Sequence, residues 1–135
     1  MKKHVMLLCL ALLALALCAC SVQNPMQDAL TATRNTGSIE IYVNSTAAVY
    51  VITDREAVRE ICDTFGALEL EKVKITKPLG VTYTVSFCNA NGVATERLLV
   101  VAGYNVIDFG DLYRVQDDFD VHAYVESLIE GAQKK

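Results

Sequence analysis

An uncharged apolar run near the N-terminus constrains this chain more than any other feature. Residues 5–20 form the run, and Lys2 and Lys3 precede it. Sixteen residues are enough for the hydrophobic region of a secretory signal peptide and short for a helix that crosses a bilayer. We therefore predict that residues 1–19 are a signal peptide and that the mature chain lies outside the cytoplasm.

The charge balance of the remaining chain narrows the classes of function. The whole chain has 12 basic and 16 acidic residues and a formal charge of −4. Residues 1–19 contain two lysines and no acidic residue, so the formal charge without them is −6. An acidic chain with no long basic run argues against nucleic acid as a partner. The 116 residues that remain suit one domain and are too few for a multidomain enzyme.

The end of the apolar run carries a specific motif. Leu17 and Ala19 stand three positions and one position before Cys20, and Ser21 follows it. This arrangement resembles the lipobox of bacterial lipoproteins, which implies cleavage before Cys20 and a diacylglyceryl group on its thiol. Cys18 is the competing acceptor, but Leu17 is too large for the small-residue position before it. A plain signal peptide and an uncleaved anchor helix are the alternatives.

Lipidation at Cys20 predicts the location of the protein. Two acyl chains hold a protein stably on a membrane, so we expect a lipid-anchored protein on the extracytoplasmic face of the cell membrane. If the host has an outer membrane, we expect the protein there, by resemblance to the sorting rule of lipoproteins. In that rule, retention in the inner membrane is associated with Asp after the lipidated Cys, and this chain has Ser21. The membrane is therefore one expected partner, and an envelope protein or peptide is the other.

The mature chain divides into a spacer and one domain. Residues 20–37 are polar, contain Pro25 and lack a sustained period, which predicts a flexible membrane tether that allows a short helical turn over residues 26–33. Residues 38–131 form the predicted domain, and residues 132–135 form a C-terminal tail. Tight turns between successive strand patterns favour antiparallel pairing. We predict an α+β fold, a mainly antiparallel sheet of about six strands with two helices packed on one face.

Both predicted helices have recognisable starts and stops. Thr53 and Glu56 have the spacing of a capping box before a helix over residues 54–65, with Gly66 as its stop. A second helix begins near residue 121 and ends at Gly131. The acidic residues of the first helix fit a solvated face better than an acidic site. These residues are Asp54, Glu56, Glu60 and Asp63.

Three segments of the domain carry a wider resemblance. Residues 52–58 read ITDREAV, residues 80–87 read GVTYTVSF, and residues 113–115 read YRV before the final amphipathic helix. Together with the order of elements, they resemble small uncharacterised lipoproteins of Gram-positive bacteria. Val81 differs from the aromatic residue that often follows the glycine there. The resemblance covers most of the domain and implies no established activity, catalytic residue or cofactor.

Few residues of the mature chain have catalytic chemistry. Cys62 lies on the apolar face of the first helix and Cys88 on the strand face opposite Phe87, so two separate thiols are favoured over a disulfide. His122 is the single histidine of the mature chain and is expected at the surface, off the apolar stripe of its helix. Neither cysteine has a basic neighbour in sequence that would lower its pKa. We predict no catalytic residue and no cofactor.

The aspartates near the start of the second helix have both a functional and a structural interpretation. Asp117, Asp118 and Asp120, with Asp108 and Asp111 from the preceding hairpin, supply oxygen donors for Ca²⁺, but their spacing does not match an EF-hand, and helix capping is favoured.

Tyr42 and Tyr50 are predicted to pair across the first hairpin. Such a pair forms a flat patch for a peptide or glycan, or stabilises the hairpin alone. The sequence as a whole favours a binding or protein-interaction module at the cell envelope. An envelope-associated hydrolase and an inhibitor of another envelope protein are the alternatives.

Overall fold

The computed structural model of the protein describes residues 24–32, 35–76 and 80–135. Three helices and eight strands lie within those residues. In chain order they are α1 (Pro25–Ala32), β1 (Thr36–Val43), β2 (Ala48–Ile52), α2 (Arg55–Gly66), β3 (Leu70–Lys72), β4 (Val81–Asn89), β5 (Ala94–Val101), β6 (Val106–Asp108), β7 (Leu112–Val115), α3 (Val121–Glu130) and β8 (Gln133–Lys134).

The eight strands form one sheet in the order β3-β7-β6-β5-β4-β1-β2-β8. Every neighbouring pair is antiparallel, which confirms the predicted α+β fold. The sheet has more strands than the expected six. One of the additional strands, β8, lies in the predicted C-terminal tail and pairs with β2 through Gln133 and Lys134.

One face of the sheet builds the core. Ile39 and Ile41 of β1 lie opposite Phe87 and Val85 of β4, and all four side chains are fully buried. Because side chains alternate between faces along a strand, Glu40 and Tyr42 project from the other face. The helices cover the first face, as predicted.

The start of α2 differs from the predicted capping box. Asp54, not Thr53, is the N-cap, and its Oδ1 accepts a hydrogen bond from the amide of Ala57 at 2.9 Å. The helix begins one residue later than the capping box requires, so the Thr53 hydroxyl is not the capping group. Asp is also the stronger N-cap and its charge favours the positive end of the helix dipole.

Phe65 connects the helices to the sheet. Its ring contacts Phe87 of β4 edge-on with centroids 5.9 Å apart, and it contacts Tyr124 of α3 at 5.5 Å. α2 and α3 therefore pack side by side on the sheet, as predicted. The end of α3 at Gly131 and its start after Asp120 are also confirmed.

The predicted flexible tether is wrong for the part of it that the structure describes. Pro25–Ala32 form α1, which packs beside α2. Met26 is completely buried and Leu30 nearly so, and both belong to the main core. Within the described residues, the domain therefore includes Asn24 and α1 and does not start at residue 38.

The side chain of Asn24 fixes the start of α1. Its Nδ2 donates to the carbonyl oxygens of Phe65 and Leu68, each at 2.9 Å, and to that of Gly66 at 3.2 Å. Its Oδ1 accepts from the amide of Met26 at 2.9 Å. The buried side-chain amide of Asn24 thus hydrogen-bonds carbonyl groups at the end of α2, which have no partner within the helix. It also accepts a hydrogen bond from a backbone N–H at the start of α1.

Replacing Met26 with Ala tests whether α1 is part of the domain. We expect a loss of about 2–5 kcal/mol in the free energy of unfolding, because the change leaves a cavity in the core. Urea denaturation followed by circular dichroism measures it. Val93→Ala is the matched control, since Val93 is 59% exposed and its truncation is expected to change stability by less than about 0.5 kcal/mol. Equal, small effects of the two substitutions would restore the tether interpretation.

Candidate functional site

A groove of about 1360 Å³ lies beside α1. Its walls come from α1, from α2, from the start of β1 and from the turn between β4 and β5. Leu30 and Val58 are buried side chains at its base, and Cys62 is half-buried there. The groove therefore has an apolar floor and a rim formed by polar groups.

Arg55 and Arg59 dominate one rim of the groove. They lie one turn apart on α2, and both are exposed because the opposite face of the helix is buried on the sheet. Among the residues that the structure describes, neither guanidinium has an ion-pair partner. Glu56 and Asp63 also line the groove, so its formal charge is balanced while the two arginine forks are free to bind.

The opposite wall is a tight turn next to the start of β1. The side chain of Asn89 accepts hydrogen bonds from the amides of Asn91 and Val93 at 2.9 and 3.1 Å. Gly37 lies so close to this turn that a Cβ there would be 3.0 Å from Cα of Ala90. The wall is therefore held in place by backbone contact and by an internal hydrogen-bond network.

The two cysteines of the domain are free thiols, as favoured from the sequence. Burial raises the pKa of Cys62, and the hydrogen bond with the Thr36 side chain offsets only part of this effect. Burial raises the pKa of Cys88 too, with a further contribution from the carboxylate of Glu40. Both thiols are therefore protonated at neutral pH, and a protonated thiol is a poor nucleophile and metal ligand.

The prediction that His122 lies free at the surface is wrong. The ring is half-buried, and its Nε2 lies 2.9 Å from the carbonyl oxygen of Val101 and 3.1 Å from that of Tyr104. Carbonyl oxygens only accept, so Nε2 must carry a hydrogen and donate it. The ring also packs against Tyr83, with centroids 6.2 Å apart. His122 thus holds the turn after β5 against α3.

Of the aspartates before α3, Asp120 has the capping role that the sequence favoured. Oδ1 of Asp120 accepts from the amide of Ala123 at 3.0 Å and caps the helix. Asp111 forms an ion pair with Lys72 at 3.0 Å. Within the described ranges, no group of three or more His, Cys, Asp or Glu side chains is placed to hold a metal ion.

Tyr42 and Tyr50 do not form the predicted cross-strand pair. Tyr42 lies opposite Val49, and Tyr50 lies opposite Ile41. The two rings therefore project from opposite faces of the sheet. Tyr50 packs against the core, whereas Tyr42 is 40% exposed on the open face.

The predicted lipidation site lies outside the described residues, since these begin at Asn24 and the acceptor is Cys20. None of the helices in the described ranges has the length and apolar character needed to cross a bilayer.

The sequence analysis did not select Arg55 and Arg59 of the groove. Their spacing of four residues on the polar face of a helix was the available signal.

Comparison of the chain with protein-family models, curated proteins and solved structures gives no match. The function is therefore argued from the groove and from the sequence motif at Cys20.

Proposed function

We propose that this protein is an extracytoplasmic lipoprotein, anchored through Cys20, whose α+β domain binds a polypeptide partner of the cell envelope in the groove beside α1. The observation that carries the binding part is the pair of exposed guanidinium groups of Arg55 and Arg59. They lie above an apolar floor and have no ion-pair partner among the described residues.

The size and chemistry of the groove favour a polypeptide ligand. Its volume of about 1360 Å³ is above the range of about 300–1,000 Å³ that is usual for small-molecule pockets. Arginine binds carboxylates through two parallel hydrogen bonds, which suits acidic side chains or a terminal carboxylate. Asn91 on the opposite wall has both a donor and an acceptor for a peptide backbone.

The described nucleophiles support binding over hydrolysis. The raised pKa values of Cys62 and Cys88 keep their thiols protonated, and His122 uses Nε2 to hold two backbone carbonyls. A Cys–His pair requires a thiolate and an imidazole that is free to exchange a proton. An inhibitor of another envelope protein remains compatible with the groove, because it too would bind a polypeptide.

The motif at Cys20 supports the anchor, and metabolic labelling tests it. Cells that express the chain are fed an alkyne-bearing fatty acid, and the protein is then isolated and coupled to an azide dye. We expect the wild-type protein to carry the label and to sediment with membranes. Cys20→Ala is expected to lose the label, whereas Cys18→Ala should keep it. Labelling that survives Cys20→Ala would contradict the assignment.

Reversing the charges of Arg55 and Arg59 tests whether the groove binds the partner. A photo-crosslinking residue replaces Glu56, which lies on the same rim as the two arginines, in the full-length protein in intact cells. We expect a discrete protein adduct whose yield falls at least about tenfold when Arg55→Glu and Arg59→Glu are combined, because about 1.4 kcal/mol of lost affinity gives that factor. Mass spectrometry identifies the partner.

Arg97→Glu is the matched control for each single reversal, Arg55→Glu or Arg59→Glu, since Arg97 is exposed on the open face of the sheet and undergoes the same charge change. It should leave the adduct unchanged. A crosslinker in place of Thr95, an exposed residue two positions before Arg97 in β5, should not yield the adduct at all. An adduct that both charge reversals affect equally would show that the groove does not select the partner.

A further inference from the structure

The position of α1 determines how far the domain can stand from a lipid anchor. Asn24 is held by four hydrogen bonds, so the start of α1 is fixed to the rest of the described domain at this residue. Cys20 is only four residues earlier. Those four residues span at most about 14 Å when fully extended. A flexible tether through residue 37 would have had a typical end-to-end distance of about 23 Å and a much longer maximum reach.

The reach is small compared with the size of the domain. A domain of about 110 residues is roughly 34 Å across, more than twice the greatest length of the link. The domain therefore cannot turn freely above the anchor, because most orientations would place protein inside the bilayer. The surface around Asn24 must face the lipid.

The hydrogen bonds of Asn24 identify that surface. Its Nδ2 donates to the carbonyls of Phe65 and Gly66 at the end of α2, and to that of Leu68 in the loop that joins α2 to the edge strand β3. The turn between β1 and β2, with Thr46 at its centre, is near the opposite edge of the sheet. Six strand spacings of about 4.8 Å separate β3 from β2, a distance of roughly 29 Å.

The charge of residues 69–74, at the end of the loop and through β3, is compatible with a bilayer surface. Glu69 and Glu71 are exposed, and so are Lys72 and Lys74. Two negative and two positive groups balance, so anionic headgroups neither repel nor strongly attract this surface.

We infer that the domain sits directly against the lipid headgroups, with the loop between α2 and β3 toward the bilayer and the turn between β1 and β2 facing away. The inference depends on the proposed anchor at Cys20. It also places the groove beside α1 close to the membrane, so its polypeptide partner is itself encountered at the membrane surface.

Energy transfer to the membrane tests this orientation. The lipidated full-length protein is reconstituted in vesicles of phosphatidylcholine and phosphatidylglycerol that carry an acceptor dye on the headgroups. A donor is coupled to an azide-bearing residue that replaces either Glu69 or Thr46, so the native thiols stay unlabelled. We expect at least roughly twofold more efficient transfer from position 69, because the two positions lie about 29 Å apart across the sheet and position 69 is on the side toward the bilayer.

A longer link provides the control. Insertion of about twenty Gly and Ser residues between Gln23 and Asn24 frees the domain, and the difference between the two positions is expected to disappear. Equal transfer in the native chain, or a difference that the insertion leaves unchanged, would overturn the orientation while leaving the anchor intact. Failure of the unmodified protein to float with the vesicles would instead overturn the anchor, and the orientation with it.

Discussion

Asn24→Asp is expected to destabilise the domain by about 3–5 kcal/mol, the usual cost of a buried charge without a partner. The amide nitrogen of Asn24 donates to three backbone carbonyls, and the residue is 7% exposed. The substitution keeps the shape of the side chain but places a carboxylate oxygen against those carbonyl oxygens. Denaturant unfolding of a soluble Cys20→Ala form, followed by far-ultraviolet circular dichroism, measures the loss.

The pH dependence of this loss has a defined sign. Burial against carbonyl oxygens raises the pKa of the introduced carboxyl in the folded state above its value of about 3.9 in the unfolded state. The folded form therefore binds more protons, and the stability of the variant relative to the wild type falls as the pH rises from about 4 toward neutrality. A relative stability that rises with pH would contradict the buried position of Asn24.

Asn91→Asp is the matched control for this substitution. Asn91 is exposed in the turn after β4, and the same chemical change there is expected to cost less than about 0.5 kcal/mol. If both variants lose the same small amount of stability, the start of α1 is not held by Asn24. The domain would then begin further along the chain.

The sheet could be predicted from the sequence because its strands follow simple patterns. Alternating residues in β1 and β4 place one apolar side chain after another on the core face, and the register confirms this arrangement. β7 follows the same alternation, with Tyr113 and Val115 buried and Arg114 between them exposed. Such patterns are visible locally, since burial on one face of a strand has a period of two residues.

Only a short helical turn over residues 26–33 could be predicted in place of the packed helix α1, because the stability of α1 does not come from its own sequence. An isolated helix of eight residues is marginal in water, and tertiary packing is what stabilises it. Among the described side chains of α1, Met26 and Leu30 are the buried apolar ones, and two such residues are a weak signal in the sequence. Asn24 likewise looks like any other asparagine of the sequence until the carbonyls of α2 are placed beside it.

The wrong predictions at the candidate sites also arise from contacts between elements that the local sequence does not show. Tyr42 and Tyr50 fall on opposite faces because the register pairs Tyr42 with Val49, and a shift of one residue reverses the face. The groove brings together α1, α2 and the turn after β4, which are distant in sequence. Pattern analysis detects a surface within one element, but it does not detect a cavity between several.

Phe65→Ala is the second substitution with a large expected effect, about 3–5 kcal/mol. Phe65 is fully buried and contacts Phe87 on the sheet and Tyr124 on α3. Its removal opens a cavity where both helices meet the sheet. A domain of ordinary stability, about 5–15 kcal/mol, can lose most of its folded population through this change. Tyr104→Ala is the control, because Tyr104 is 56% exposed and its loss should have little effect.

Phe65→Leu keeps the test informative if the alanine variant does not fold. It retains most of the apolar volume but loses the two edge-on ring contacts. A double-mutant cycle with Tyr124→Leu isolates one of these contacts, and we expect a coupling free energy of about 0.5–1.5 kcal/mol. A coupling near zero would mean that α2 and α3 are stabilised independently on the sheet. A measurable coupling would mean that α3, and with it the adjoining β8, depends on the same aromatic contact that holds α2 and the groove in position.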